Sequence, residues 1–333
     1  MQFLLIGFGN IGVRHAAILA EHNLLAGIVD SDVQKLVVAK EKYPSCSCYS
    51  QIQQALDTKN FDVAVICTPN AAHTPQAVSC LQAGLHVVVE KPMAITFTDA
   101  QLLQQTAVLY QRKLFVVKQN RFNPPVIAVK TAIQDGVLGS LIGLQVNGFW
   151  NRNSQYYQGS TWRGTKQLDG GMLLTQFSHF IDVALWLVGN ITPTAASITN
   201  QLHDGLEIED ACVLTCKGNN GLLGTMHFTT NAYEQNMEGS ITILGTLGTV
   251  KIGGAYLNKI AYQNIENHSL PAVHTIGLQP NTYNGYQGSM SNHPTWYKQL
   301  LNEWEDPSEI FSVNDAVQTI DFIEQVYKMA KPL

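Results

Sequence analysis

Two basic side chains stand where proton transfer would need them. Lys91 closes the run Leu85-His86-Val87-Val88-Val89-Glu90-Lys91-Pro92, in which β-branched residues predict a strand buried on both faces. Ligands of open α/β sheets gather outside the carboxyl ends of the strands, and Lys91 falls at such an end. An amine whose pKa is lowered by burial or by neighbouring positive charge becomes a base near neutrality. Pro92 holds the residue before it in extended geometry, and a cis Lys91–Pro92 bond is an option. The competing reading is a surface lysine at a strand end followed by a turn proline. The second side chain is His179, because histidine is the side-chain type whose reference pKa lies near neutrality. Thr175, His179, Asp182 and Trp186 are spaced by four, three and four, which puts them on one face of a helix predicted from about Gly171 to Val188. Leu173, Leu174, Phe177, Ile181, Ala184 and Leu185 cover the remainder. A polar stripe on such a helix suits a cavity wall; the alternative is a core histidine satisfied by Asp182.

A third constellation concerns phosphate. Residues 2–6 predict a strand, Gly7-Phe8-Gly9-Asn10-Ile11-Gly12 follows, a helical pattern runs from about Ile11 to Glu21, and a second strand ends on Asp30. Strand, glycine-rich turn, helix, strand and acid is the dinucleotide-binding pattern, and Asp30 comes 18 residues after Gly12. The glycines would supply a tight turn, close approach to a pyrophosphate and close helix packing, with the helix amino end facing the phosphates. A tight turn with incidental glycines is the other reading. Asp30 would accept from the adenosine ribose hydroxyls and repel a 2′-phosphate. Ser31 and Asp32 follow it, with no arginine or lysine, so NAD is favoured over NADP.

These residues need a doubly wound βα domain to position them. Strand and helix patterns alternate to a last strand at Leu114–Lys118, with a helix from Pro75 to Ala83 before the Leu85–Val89 strand. After Asn123-Pro124-Pro125 the pattern changes to consecutive strands with short Gly/Asn turns, interrupted by the helix that carries His179. The fold class is α/β: a Rossmann domain over 1–120, then an α+β domain over 121–333 with a largely antiparallel open sheet for substrate binding and oligomerisation. The 263–295 segment reads as irregular, and two terminal helices, about 294–304 and 313–330, are candidates for packing back on the first domain.

Composition excludes other classes. Of 333 residues, 45% are hydrophobic, which supports real cores. The net charge of −5 and the lack of a basic tract argue against nucleic acid as a partner, and no apolar run is long enough to span a membrane. The six cysteines show no CxxC spacing, and Met1 leads directly into a strand, so a reducing cytoplasm is expected. No HExxH or other ligand spacing suggests a metal.

Taken together, Gly7–Gly12, Thr68-Pro69-Asn70 with His73, Glu90-Lys91-Pro92, and Gly170-Gly171 followed by His179 and Asp182 resemble the Gfo/Idh/MocA family of NAD(P)-dependent oxidoreductases, over nearly the whole chain. The resemblance implies hydride transfer between NAD and a secondary alcohol of a sugar, with Lys91 and His179 as the catalytic pair. The cofactor site it implies comprises Gly7, Phe8, Gly9, Asn10, Ile11, Gly12, Asp30, Thr68, Pro69, Asn70, His73, Glu90, Lys91, Pro92, Trp162 and Arg163. Candidates for the substrate side are Lys91, Asn120, Arg121, Arg163, Thr175, Gln176, His179 and Asp182. Arg163 suits a phosphate or carboxylate, or a plain surface; Asn120 and Arg121 suit the cleft or a hinge. Where the family often has an aspartate four residues before the histidine, this chain has Thr175, which cannot hold charge. Trp162-Arg163-Gly164-Thr165, Leu174-Thr175-Gln176 and Tyr286–His293 resemble the subgroup typified by UDP-N-acetylglucosaminuronate 3-dehydrogenase, which acts on nucleotide-linked sugars. A dehydrogenase of a free sugar or cyclitol, and a non-catalytic NAD-binding sensor, are the alternatives. An apolar outer face of the second sheet would make a homodimer or homotetramer.

Overall fold

The computed structural model describes residues 1–273, 279–283 and 286–332. The chain divides into two compact units: Met1–Val117 with His293–Val317, and Lys118–Asn292 with Gln318–Leu333.

In the first unit the elements run β1 (Phe3–Ile6), α1 (Asn10–Glu21), β2 (Leu25–Val29), α2 (Val33–Lys42), β3 (Ser47–Tyr49), α3 (Ile52–Leu56), β4 (Val63–Ile66), α4 (Asn70–Gln82), β5 (His86–Val89), α5 (Phe97–Leu109) and β6 (Leu114–Val116). The sheet order is β3-β2-β1-β4-β5-β6 and every pairing is parallel, the doubly wound order with its switch point between β1 and β4. The apolar runs follow from this. Val63, Ala64, Val65 and Ile66 are all 0% exposed, and each large aliphatic buried this way contributes about 1.5–3 kcal/mol. Register decides the rest: Ile6 pairs with Val29 and Ile66, and Ile66 pairs with Val89. Gly7, Asp30, the Thr68 loop and Glu90-Lys91 therefore leave the sheet along one edge. Helix α4 begins at Asn70 rather than at Pro75, which lies inside it. A proline early in a helix reads as its start because its missing N–H is harmless there; here it forgoes one bond instead. Trp304 from the carboxyl-terminal segment closes the core, its ring 6.4 Å from Phe3 and 5.5 Å from Phe115.

In the second unit, α6 (Pro124–Gln134) precedes β7 (Leu141–Phe149) and the short α7 (Ser154–Gln158). A π-helical turn, Leu173–Phe177, then enters α8 (Ser178–Val188). Strands β8 (Ile191–Thr199), β9 (Ala211–Gly218), β10 (Leu223–Thr229), β11 (Glu238–Gly245), β12 (Gly248–Gly253) and β13 (Lys259–Ile265) follow. They form a sheet in the order β13-β12-β11-β7-β10-β9-β8, with Lys331–Pro332 beside β8. The β7–β10 pairing and the pairing of Lys331–Pro332 with β8 are parallel, and the rest are antiparallel. Phe177 and Phe180 pack on this sheet against Trp150 and Phe228. Gly148 permits that approach: a Cβ there would stand 2.6 Å from the Phe177 ring. The 263–295 segment is more regular than its polar composition suggests, containing the end of β13 and a hairpin of Pro280–Tyr283 with Tyr286–Met290. Residues 274–278 and 284–285 of it lie outside the described residues. Among the described residues, no helix is long and apolar enough to cross a membrane.

Candidate active site

The glycine-rich turn is built from three different constraints. Gly7 has φ +93°, and a Cβ on it would lie 2.8 Å from the Cys67 carbonyl oxygen. A Cβ on Gly12 would lie 1.9 Å from the Gly7 oxygen, so α1 can sit this close to the turn only with glycine there. Gly9 is the opposite case: a Cβ would meet nothing within 4 Å, which leaves open space in front of the amino end of α1. A bare backbone with free N–H groups facing open space fits a pyrophosphate. Asp30 accepts from the backbone N–H of Phe8 (2.7 Å) and of Asp32 (2.9 Å), so it ties the turn to the end of β2. One expectation is corrected here. Asp30 does have a basic neighbour, since Lys35 from the first turn of α2 brings Nζ to 3.8 Å of its carboxylate. Five residues of sequence hide a contact that one helical turn creates.

The carboxyl end of β5 is held by a clamp that sequence spacing could not reveal. The buried Glu90 Oε1 faces His15 Nε2 at 2.9 Å and His293 Nε2 at 3.0 Å. Glu90 Oε2 accepts from the Lys91 backbone N–H at 3.1 Å. Tyr297 Oη lies 2.7 Å from His15 Nδ1, and burial holds that phenol well above its usual pKa, so it donates to the ring. His15 then donates from Nε2 to Glu90. Burial works against the Glu90 charge, but the two imidazole bonds overcome it and hold its carboxyl well below the usual range. The donor atoms of His15, Glu90 and His293 lie within 4.8 Å of one another, a grouping of metal-ligand types drawn from three distant positions. Both Nε2 contacts have hydrogen-bond lengths to a single oxygen, which is the geometry of a clamped carboxylate. Lys91, partly buried, follows directly, and the Lys91–Pro92 bond is cis. His73 is 1% exposed and sits 2.8 Å from both the Pro92 and the Thr68 carbonyl oxygens, bracing the loops after β4 and β5. A neutral ring donates to only one of them; burial lowers its pKa, while the two carbonyls pull the other way.

In the second unit the helix carrying His179 is not α-helical throughout. The π turn shifts the register at Thr175, so the four-three-four spacing no longer describes one face at that residue. The Thr175 hydroxyl donates to the Asp169 carboxylate. Asp169 is 1% exposed and also accepts from the Gly164 backbone N–H at 2.8 Å. The sequence shows that acid only as the residue before Gly170-Gly171. Asp182 accepts a two-pronged bond from Arg121, Nε at 2.8 Å and Nη2 at 2.7 Å, with Lys118 Nζ at 3.8 Å. Burial opposes the Asp182 charge, yet Arg121, Lys118 and then His179 hold its carboxyl below the usual range. Arg121 is 0% exposed and stacks on Trp186 at 5.0 Å, so its guanidinium is committed inside the unit. His179 is 8% exposed. Asn120 donates to Ser289 Oγ at 3.4 Å, while its Oδ1 is buried with no acceptor role filled among the described residues. Gln176 donates to Tyr156 Oη at 2.6 Å, and Arg163 lies over the Tyr156 ring. Trp162 is partly buried.

Glu209 was invisible to sequence reasoning. It accepts from Tyr327 Oη (2.5 Å) and from the Leu173 N–H (3.2 Å), where the chain enters the π turn. Burial pushes its carboxyl up to about 7. A folded pKa above the unfolded one means the native state binds the proton more tightly, so stability is full at low pH and falls as pH rises to about 7. A decline of roughly 3 kcal/mol between about pH 4.5 and 7 is expected from this group. Glu209→Gln should flatten that slope in denaturant titrations across this range; an unchanged slope would discount the site.

The edge of the first sheet, with its glycine turn and the acid at the end of β2, has the build of a dinucleotide-binding domain. The description "Oxidoreductase family, NAD-binding Rossmann fold" matches residues 1–118, and "GFO/IDH/MocA C-terminal domain" matches residues 126–251. The chain belongs to the Gfo/Idh/MocA family of oxidoreductases, and its first unit is that family's NAD-binding domain. It is similar to the WlbA dehydrogenase of Bordetella pertussis, solved with NADH and UDP-GlcNAcA, at 32% identity and TM-score 0.87, covering 99% of this chain and 96% of that one. The WlbA dehydrogenase of Chromobacterium violaceum, solved with the same two ligands, is 30% identical with TM-score 0.87 over 99% and 93% of the two chains. Among curated proteins, the scyllo-inositol 2-dehydrogenase (NADP(+)) IolW of Bacillus subtilis is 26% identical over 62% of this chain and 56% of its own. The chain spans a little over half the length of the first curated relatives it matches.

Proposed function

We propose that this protein is an NAD-dependent dehydrogenase acting on a secondary alcohol of a nucleotide-linked amino sugar or sugar acid. The observation that carries the reading is the likeness, at 32% identity across 99% of the chain, to a dehydrogenase solved with NADH and UDP-GlcNAcA. In the division of labour we infer, residues 1–120 bind cofactor, and 121–333 bind substrate and assemble the oligomer. Gly7, Gly9, Gly12 and Asp30 would hold the adenosine and pyrophosphate end, with Phe8, Asn10, Ile11, Thr68, Pro69 and Asn70 shaping the same sheet edge. His73 would act through the loops it braces, and Glu90 by fixing the peptide that carries Lys91 and Pro92. NAD when bound supplies the hydride-accepting ring. Lys91 and His179 are assigned to moving the proton of the substrate hydroxyl, and Thr175, Gln176 and Asn120 to orienting the sugar. Arg121 and Asp182 support that surface from within. Absorbance of NADH formed from a panel of UDP-linked and free sugars tests the reading. Turnover of free sugars or cyclitols alone would favour a free-polyol dehydrogenase, in line with the inositol relative. No turnover of any sugar would leave a cofactor-binding protein without this activity.

NAD should bind more than about tenfold tighter than NADP, because Asp30 meets the 2′ position with charge. Lys35 at 3.8 Å lessens that repulsion without removing it. Fluorescence titration of both reduced cofactors decides; equal affinities would sink the argument.

A homodimer or homotetramer through the open face of the second sheet is also proposed. That face is more mixed than its alternation suggests. Val213 (50% exposed), Ile142 (53%) and Leu223 (70%) are apolar, but Thr225 pairs in register with Thr215 and Gln145, and Val213 pairs with His227. Light scattering at micromolar concentration should give at least twice the chain mass, and a monomer would refute it.

A further inference from the structure

Among the described residues, two guanidinium groups of the second unit have no acidic partner. Arg152 is 2% exposed, and its bonds go to neutral oxygens: Nε to Gln176 Oε1 at 2.9 Å, Nη1 to the Asn151 carbonyl at 2.6 Å and to Asn236 Oδ1 at 3.3 Å. Among the described residues, Nη2 has no acceptor. The remaining walls are rings, with the guanidinium carbon 5.0 Å from the Trp150 centroid, 5.3 Å from Tyr156 and 5.1 Å from Tyr286. Arg163 approaches the same two tyrosines, 4.2 Å from Tyr156 and 5.5 Å from Tyr286. It donates to the Tyr156 carbonyl at 3.2 Å and to Tyr286 Oη at 3.3 Å, and its Nε is buried without a partner.

Arginine does not shed its proton in proteins, and a buried charge is stable only when paired. The tyrosines cannot supply the counter-charge: burial pushes Tyr156 up to about 12, and Tyr157 higher still, so both remain phenols. Burial weighs most on Arg163; the Asp169 carboxylate acts on it less than the tyrosines do, and is itself bonded to Gly164 and Thr175. On Arg152 burial weighs most, and it is opposed by the phenols of Tyr156, Tyr286, Tyr157 and Tyr256. Aromatic faces attract each cation, but two cations sharing two rings repel one another. The arrangement is complete only when an anion joins it.

We propose that Arg152 and Arg163 form a clamp for an oxyanion of the substrate, a sugar carboxylate or a phosphate, walled by Tyr156 and Tyr286. Paired guanidinium forks suit the planar, two-oxygen edge of either group. Gln176 links the clamp to the proposed chemistry, since its amide bonds both Arg152 Nε and Tyr156 Oη from within the π turn, one residue from Thr175. This deepens the sugar-dehydrogenase reading and rests on it: the second unit selects substrates by their negative charge. Arg163 then serves the substrate and not the cofactor.

The test is calorimetric titration of the NADH-loaded protein and of Arg152→Gln and Arg163→Gln with UDP-GlcNAcA, with UDP-GlcNAc, which keeps the diphosphate but lacks the sugar carboxylate, and with UDP. Each substitution should weaken the anionic contact by roughly tenfold or more. Loss confined to UDP-GlcNAcA assigns the clamp to the carboxylate; equal loss for all three ligands assigns it to a phosphate. Unchanged binding of all three by both variants overturns the proposal. Arg152→Gln alters a buried position, so the half-buried Arg163→Gln and the unmodified protein carry the test if it does not fold. Glucuronate or UDP should raise the melting temperature of the unmodified protein more than glucose or uridine does, and equal shifts would count against the clamp. Absence of NADH formation with every sugar would sink the dehydrogenase reading while leaving anion-selective binding measurable.

Discussion

Lys91→Ala should lower turnover by roughly 10²–10⁴-fold at saturating NAD, the range for losing a positioned acid–base group. Affinity for NAD should change little, because on the proposed reading Gly7, Gly9, Gly12 and Asp30 would engage the far end of the dinucleotide. On the proposed reading Lys91 is the main proton acceptor. Its backbone N–H is fixed by Glu90, and Glu90 spends its charge on His15 and His293. His179→Ala should cost less. The Thr175 hydroxyl is committed to Asp169, and the Asp182 carboxylate that acts on His179 is already held by Arg121 and Lys118. A histidine sharing its acid with two cations is a weaker base than one with a carboxylate of its own. Turnover of both single variants and the double variant decides the order. If His179→Ala proves as severe as Lys91→Ala, the histidine is the base; full activity in Lys91→Ala would end its catalytic assignment.

Asp182→Ala should destabilise the protein by about 3–5 kcal/mol, because it leaves the Arg121 guanidinium, 0% exposed, and the nearby Lys118 without their common acid. Replacing Asp182 by leucine and Arg121 by methionine together should recover much of that loss, since no unpaired partner of the two-pronged bond is then buried. The sign with pH is opposite to that of Glu209. A folded pKa below the unfolded one makes the Asp182 contribution full above about pH 4 and lost as pH falls further. Denaturant midpoints of the three proteins, at neutral pH and in acid, measure both effects. An Asp182→Ala protein as stable as the parent would show that the pair adds nothing.

The doubly wound first domain was legible because each cue there is local: a strand's hydrophobic run, a glycine at a fixed offset, an acid at a strand end. The parallel register then brings Gly7, Asp30, Thr68 and Lys91 to one edge with no further information. What sequence could not supply is long-range. His15, Glu90 and His293 meet from separate regions of the chain, as do Glu209 and Tyr327, and none has a spacing to reveal it. Arg152 sits among ordinary polar residues, and only its burial without an acid distinguishes it. The π turn at Leu173–Phe177 contains no proline or glycine to announce it, so even spacing suggested an unbroken α-helix. The Tyr286 hairpin was hidden by polar, glycine-containing sequence, and β13 by a mixed polar and apolar run whose pairing depends on its neighbour β12.

The first unit is also discontinuous in the chain, and His293 reaches Glu90 across 203 residues. During synthesis the amino-terminal segment emerges long before that partner exists. At about 5–20 residues per second, the interval is some tens of seconds at the slower rate. Through that time the carboxylate at the end of β5 has only one of its two imidazole donors, and Phe3 and Phe115 lack the Trp304 ring that covers them. The nascent domain thus lacks these contacts until the intervening second unit has been translated. A chain released early would carry the glycine turn on a core that lacks Trp304 and His293.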